Sequence, residues 1–163
     1  MATAPATADA RQSLTDHAAA RGREVFLKYG PQIGWAELQR LLLDRAYVRY
    51  PCAIVFDAGP LQAGELAHAV PLGPLPEEGF TLYVHPVFRA DLARVPPLVL
   101  YQLVAVNYGD FASSDDAESF GAAALGLTCD EYYAIVCARA EQLPVDDGAD
   151  APTGGGGDAG GCG

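Results

Sequence analysis

Apolar residues recur at helical spacing in two segments near the start of the chain. The first, Ala10–Tyr29, is ended by Gly30 and Pro31, because glycine suits a left-handed cap and proline cannot continue the turn. The second runs from about Trp35 to Ala46, where leucines step by three and four residues with charged residues between them. We expect a helix in each segment.

Three short apolar runs in the middle of the chain are typical of strands. Cys52–Phe56 is rich in β-favouring residues and closed by a turn signal, and Leu61–Val70 is its expected antiparallel partner. After a loop with three prolines, Phe80–His85 is predicted as a third strand. The pattern therefore predicts a small sheet of about three strands, mainly antiparallel.

Helices are predicted again after this sheet. Leu98–Asn107 is apolar on nearly every side, and its length favours a helix over a strand. A further helix follows Ser114 and stops at Gly126, and Thr128 with Glu131 forms a capping box that starts the last helix. Helices flanking a small sheet define an α+β fold.

The composition divides the chain into a folded part and a tail. Residues 1–143 have enough apolar side chains for a single α+β domain with its own core. Residues 144–163 are mainly glycine, aspartate, alanine and proline, and they bury too little surface to offset their entropy. We expect these residues to form a disordered, acidic, glycine-rich tail.

The charge and the lengths of the apolar runs limit the classes of partner. The formal net charge is −11, so the protein would repel phosphate backbones, and nucleic acid is not expected as a partner. No apolar run is long enough to span a membrane, and the first residues lack the pattern of a secretory signal. One lysine against nine arginines is typical of a bacterial composition. We expect a cytoplasmic protein.

The basic residues are concentrated at the start of the chain. Residues 1–49 contain seven of the ten basic residues and five acidic ones, whereas residues 50–163 contain three basic and sixteen acidic residues. This asymmetry has two interpretations, a basic face that binds an acidic partner and ordinary solvated helix faces.

Two histidines are candidates for metal chemistry. His68 and His85 lie on consecutive predicted strands, where they can approach each other, and Asp116 is a candidate third ligand. A zinc site needs three or four such ligands around one ion. One alternative function is therefore a metal-dependent hydrolase using His68 and His85. The other interpretation gives these residues structural roles only.

Two patterns between Pro97 and Leu127 carry a different signal. Leu98–Asn107 is an apolar helical frame, and Asp116–Leu125 begins with an acid followed by small residues, a phenylalanine and a leucine. Together they resemble the catalytic core of small gluzincin metallopeptidases, in which an apolar helix carries H-E-x-x-H and a later helix an acidic third zinc ligand. The resemblance implies that Phe80–Val84 is the edge strand beside that helix.

The residues that would carry the chemistry of this family are replaced. Tyr101 and Ala105 stand where the zinc-binding histidines would be, and Gln102 stands where the general-base glutamate would be. A glutamine cannot take a proton from water at neutral pH. Only Asp116 stands near the position of the third ligand. The resemblance thus implies a non-catalytic relative without a cofactor, used for binding or scaffolding with an unknown protein partner.

The last residues suggest a third interpretation. Cys162 lies within a run of glycines, and some sulfur carriers and modified-peptide precursors have C-termini rich in glycine or cysteine. A carrier or precursor that acts through this tail is the second alternative to a non-catalytic binding module.

Overall fold

The structure is a computed structural model that describes residues 3–144, with side chains from residue 12 onward. This part contains five α-helices and three strands, so the predicted α+β class is confirmed. In chain order the elements are α1 (Thr3–Tyr29), α2 (Trp35–Leu42), β1 (Cys52–Phe56), β2 (Ala67–Pro71), β3 (Phe80–Val84), α3 (Pro96–Tyr108), α4 (Ser114–Leu125) and α5 (Cys129–Ala140).

The three strands form one mixed sheet in the order β1-β3-β2. The central strand β3 is parallel to β1, with Cys52 opposite Phe80, and antiparallel to β2, with Ala67 opposite Val84. The expected antiparallel pairing between the first two strands is therefore wrong. One of the two pairings in the sheet is parallel, so the sheet is mixed rather than mainly antiparallel.

Local turns and burial explain this topology. The backbone amides of Leu61 and Glu65 each donate to a carbonyl three residues earlier, so the chain turns repeatedly after β1 instead of returning along it. Residues 72–79 then connect β2 directly to β3 as an antiparallel pair. The central position goes to β3, whose Leu82 and Val84 are fully buried, because an inner strand of a small sheet is covered most completely.

The helix α2 is shorter than predicted. It ends at Leu42 rather than near Ala46, because the chain folds there into turns around Asp44. The carbonyl of Asp44 accepts from the amide of Val48, and its carboxylate accepts from the amide of Ala46 at 3.0 Å. Arg45 therefore leaves the helical pattern and is exposed.

The helix α1 packs mainly against α4, and it begins further toward the N-terminus than predicted. Gly22 allows the close approach of the two helices. A Cβ atom on Gly22 would stand 2.5 Å from the carbonyl oxygen of Phe120 and 2.8 Å from the Cβ atom of Ala123. The Thr15 hydroxyl also donates to the Asp116 carboxylate at 2.6 Å and links the same two helices.

The apolar segment after Pro96 is a helix, as its length predicts, and it crosses the core. Nine residues of α3 are buried, and the helix contacts β2, β3, α4 and α5. The helix α3 therefore lies between the sheet and the C-terminal helices α4 and α5, and contacts both. No helix within residues 3–144 is long and apolar enough to cross a membrane. The predicted tail, with Cys162, lies outside the described residues except for Pro144.

The capping box at the start of α5 forms as predicted. The Thr128 hydroxyl accepts from the amide of Glu131 at 3.1 Å, and the Glu131 carboxylate accepts from the amide of Thr128 at 2.8 Å. Thr128→Ala is expected to lower the free energy of unfolding by about 1 kcal/mol, since it leaves a helix N-terminal amide without its cap. Urea denaturation measures the change. Thr128→Ser keeps the hydroxyl, and an equal loss in that variant would contradict the role of the cap.

Candidate functional site

A cavity of about 340 Å³ lies where α3, α4 and α5 meet the segment that leads into β2. All four parts contribute polar side chains to this α3–α5 pocket: Glu65 before β2, Tyr101 and Gln102 on α3, Glu118 on α4 and Tyr133 on α5. The rest of the wall is largely aliphatic and includes Leu66, Ala67, Leu98, Val136 and Ala140. This volume is near the lower end for ligand pockets, so it suits one side chain or a small head group.

The pocket is lined in part by the one face of α3 that is not buried in the core. Tyr101, Gln102, Ala105 and Tyr108 are the residues of α3 that are not buried, and their spacing places them along one side of the helix. The predicted degenerate-site positions therefore share a face. Tyr101 and Gln102 line the pocket, whereas Ala105 is exposed outside it.

Tyr101 connects α3 to the first turn of α4. Burial, followed by the nearby Glu118 carboxylate, raises the pKa of Tyr101, and Ser114 in the first turn of α4 acts on it in the opposite direction. The pKa of Glu118 is also raised, first by partial burial and then by the carboxylate of Asp115. The negative charge of Glu118 is thus less well solvated than that of an exposed glutamate, and a cation beside it would be stabilised.

The side chain of Gln102 is hydrogen-bonded to the open edge of the sheet and does not act as a base. Its side-chain oxygen accepts from the backbone amide of Ala69 in β2 at 3.1 Å. In the antiparallel pair, Ala69 is one of the alternate residues whose backbone groups point away from β3, to the open edge. The edge strand beside α3 is therefore β2, and the expectation that Phe80–Val84 is the edge strand is wrong because β3 is central.

Asp116 does not face Tyr101. It is 1% exposed, and its carboxylate accepts from the hydroxyl of Thr15 and from the amide of Ser113. Residues two apart on a helix lie on different faces, so Asp116 is turned toward α1 while Glu118 is turned toward the pocket. The acid near Tyr101 and Gln102 is therefore Glu118 and not the predicted Asp116.

The sequence does carry a signal for the packing face of α4. The small residues Ala117, Gly121 and Ala124 are spaced as one helical stripe, and this stripe is the buried face of α4. Glu118 falls beside that stripe, three residues after Asp115, so the two acids share a side of the helix. Asp116 and Glu118 lie on opposite sides of this stripe, so the small residues mark the packing face of α4 without selecting one of the two acids.

The structure does not bring the three candidate metal ligands together. His68 is on β2 with its Nδ1 3.7 Å from a Glu65 oxygen, and the Nδ1 of His85 accepts from the amide of Val87. Asp116 is bound between α1 and the start of α4. Within the described residues, no group of three or more histidine, cysteine, aspartate or glutamate side chains is placed to hold a metal ion.

Comparison of the chain with protein-family models, with curated proteins and with solved structures finds no match. The fold and the pocket define an α+β protein with a small, partly acidic pocket between its C-terminal helices and the edge of its sheet.

Proposed function

We propose that the protein is a non-catalytic binding module, a degenerate zincin-like protein whose α3–α5 pocket takes a ligand. The observation that supports this most directly is the engagement of Gln102, at the position of the family's general base, with the amide of Ala69. Tyr101, at the position of the first zinc histidine, is partly buried in the pocket wall, and its phenol replaces the imidazole of a zinc ligand. Side chains fixed in this way shape a pocket and supply neither a base nor a metal ligand.

The chemistry of the pocket favours a cation carried on an aliphatic stem. Glu65 and Glu118 supply two carboxylates, and Tyr101 and Tyr133 supply aromatic rings that attract cations through their faces. The aliphatic wall suits the methylene groups of a lysine or arginine side chain, which pack against apolar surface while the charge meets an acid. The proposed ligand is therefore a basic side chain of a partner protein.

Strand addition is a less favourable way to bind that partner. Ala69 has its outward amide occupied by Gln102, and Pro71 at the end of β2 has no amide hydrogen. Edge strands blocked in this way resist pairing with another chain. Recognition through the pocket is thus favoured over extension of the sheet. A cytoplasmic location, expected from the sequence, remains part of the proposal.

Binding of a small amine tests the proposed ligand class. The protein is expected to bind n-butylammonium in a calorimetric titration, and Glu118→Gln is expected to weaken that binding about tenfold, which corresponds to about 1.4 kcal/mol. The substitution removes the charge but keeps the shape of the side chain. Neutral n-butanol, which has the same stem, should bind much more weakly than the amine.

The matched control is Glu77→Gln, which removes a charge from the exposed loop between β2 and β3. Its affinity for the amine should equal that of the unmodified protein. If Glu77→Gln and Glu118→Gln weaken binding equally, the amine is responding to the overall negative charge, and the pocket is not its site. Equal affinity for butanol and butylammonium would contradict the role of charge.

A further inference from the structure

A second cavity, of about 280 Å³, lies on another side of the molecule, between α1, the turns that follow α2, and the end of α3. Three arginines line it, Arg21, Arg45 and Arg49, and we call it the arginine pocket. The whole chain has only ten basic residues and a net charge of −11. Three guanidinium groups around one cavity therefore concentrate positive charge at one place in a protein that is acidic overall.

Backbone carbonyls hold the three guanidinium groups in place. Arg45 donates to the carbonyl of Leu42 at 3.1 Å, Arg49 donates to the carbonyl of Asn107 at 3.0 Å, and Arg21 donates to the carbonyl of Ala46. A carbonyl orients a guanidinium group without cancelling its charge. Each guanidinium has five N–H donors, so these contacts leave donors for a ligand.

Carboxylates neutralise little of this charge. Among the described residues, Arg21 pairs with Glu24 at 2.9 Å, whereas neither Arg45 nor Arg49 has a carboxylate within ion-pair distance. By contrast, Lys28 on the same side of α1 pairs with Asp44 at 2.7 Å. The arginine pocket thus keeps at least two positive charges uncompensated within the described part of the chain.

Asn107 lines the arginine pocket and fixes its geometry through side-chain hydrogen bonds. It is 9% exposed, its side-chain oxygen accepts from the amide of Arg49 at 2.9 Å, and its side-chain nitrogen donates to the carbonyl of Tyr47 at 2.7 Å. These bonds join the turns that carry Arg45 and Arg49 to the last turn of α3, whereas Arg21 is held on α1. The positions of the positive charges are therefore set before any ligand arrives.

We propose that the arginine pocket binds the phosphate group of a small phosphorylated ligand. Guanidinium groups match phosphate oxygens in a forked geometry, and charge-assisted bonds of this kind are about twice as strong as neutral ones. His17, Tyr47 and Tyr108 complete the lining and provide rings against which the rest of such a ligand packs. This site is independent of the α3–α5 pocket and of the function proposed for it.

Titration with inorganic phosphate and with glycerol phosphate tests the proposal in the full-length protein. Both probes should bind, since they share the phosphate group, and Arg45→Gln/Arg49→Gln should weaken both by about tenfold or more at ~0.1 M salt. Stronger binding of the ester indicates a phosphorylated small molecule, and equal binding indicates free phosphate. Phosphorus NMR line widths and calorimetry measure the affinity.

Two further variants keep the test decisive. Arg40→Gln on α2 removes an exposed arginine that does not line the pocket and should leave phosphate binding unchanged. Arg49→Lys keeps the charge but loses the fork, so its affinity should fall between those of the unmodified protein and the double variant. If Arg40→Gln weakens phosphate as much as the double variant does, or if the double variant binds normally, the proposed site is overturned.

Discussion

Replacement of Tyr132 by alanine is expected to lower the free energy of unfolding by about 3–5 kcal/mol, the usual cost of removing a buried aromatic ring. Tyr132 is the fully buried residue of α5, and its ring lies where a Cβ atom on Gly121 of α4 would stand. Its hydroxyl donates to the carbonyl of Pro97 at 2.5 Å. One side chain thus fastens α5 to both α3 and α4.

Two variants separate the parts of this effect. Tyr132→Phe removes only the hydroxyl and its hydrogen bond to the carbonyl of Pro97, which should cost about 0.5–1.5 kcal/mol because that carbonyl also accepts within α3. Tyr133→Ala, one residue on, removes a half-buried ring at the pocket and should cost less than Tyr132→Ala. Urea denaturation of all three gives the comparison. A loss below about 1 kcal/mol for Tyr132→Ala would contradict the anchoring role of the ring.

Gly22→Val is expected to destabilise the protein by about 3 kcal/mol, at the upper end for overpacked cores. The added side chain would collide with the carbonyl oxygen of Phe120 and the backbone nitrogen of Ala124, and these backbone atoms cannot move without separating α1 from α4. Thermal and urea denaturation measure the change, and both midpoints are expected to be lower than in the unmodified protein.

Arg23→Val is the matched control for this substitution. It places the same β-branched residue next along α1, on the exposed side, so it measures only the lower helix propensity of valine, about 0.5 kcal/mol. Equal losses in the two variants would mean that helix propensity, and not the contact between α1 and α4, explains the effect of Gly22→Val.

Elements that depend on neighbouring residues were predictable from the sequence. The strand Cys52–Phe56 has the predicted bounds, and the capping box of Thr128 and Glu131 starts α5. Such signals are local, because a turn, a cap or a short β-branched run is defined within a few residues. The pairing of β1 with β3 joins segments far apart in the chain, and nothing in either strand specifies that partner.

The candidate site was likewise predictable only where it depends on residues close in sequence. The positions Tyr101, Gln102 and Ala105 share one face of α3, as their spacing predicts. The acid opposite them is Glu118 and not Asp116, because Asp116 serves as a cap and as a partner of Thr15 on α1. That choice depends on which face of α4 meets α1, and Thr15 and Asp116 are 101 residues apart in the sequence.

Amide NMR with n-butylammonium tests most directly whether the α3–α5 pocket binds a cation. As the amine is added, the signals of Tyr101, Gln102, Glu118 and Tyr133 are predicted to shift together and to saturate, and these shifts should largely disappear in Glu118→Gln. Shifts spread over acidic surface outside the pocket, or shifts at the pocket that persist unchanged in Glu118→Gln, would contradict the account.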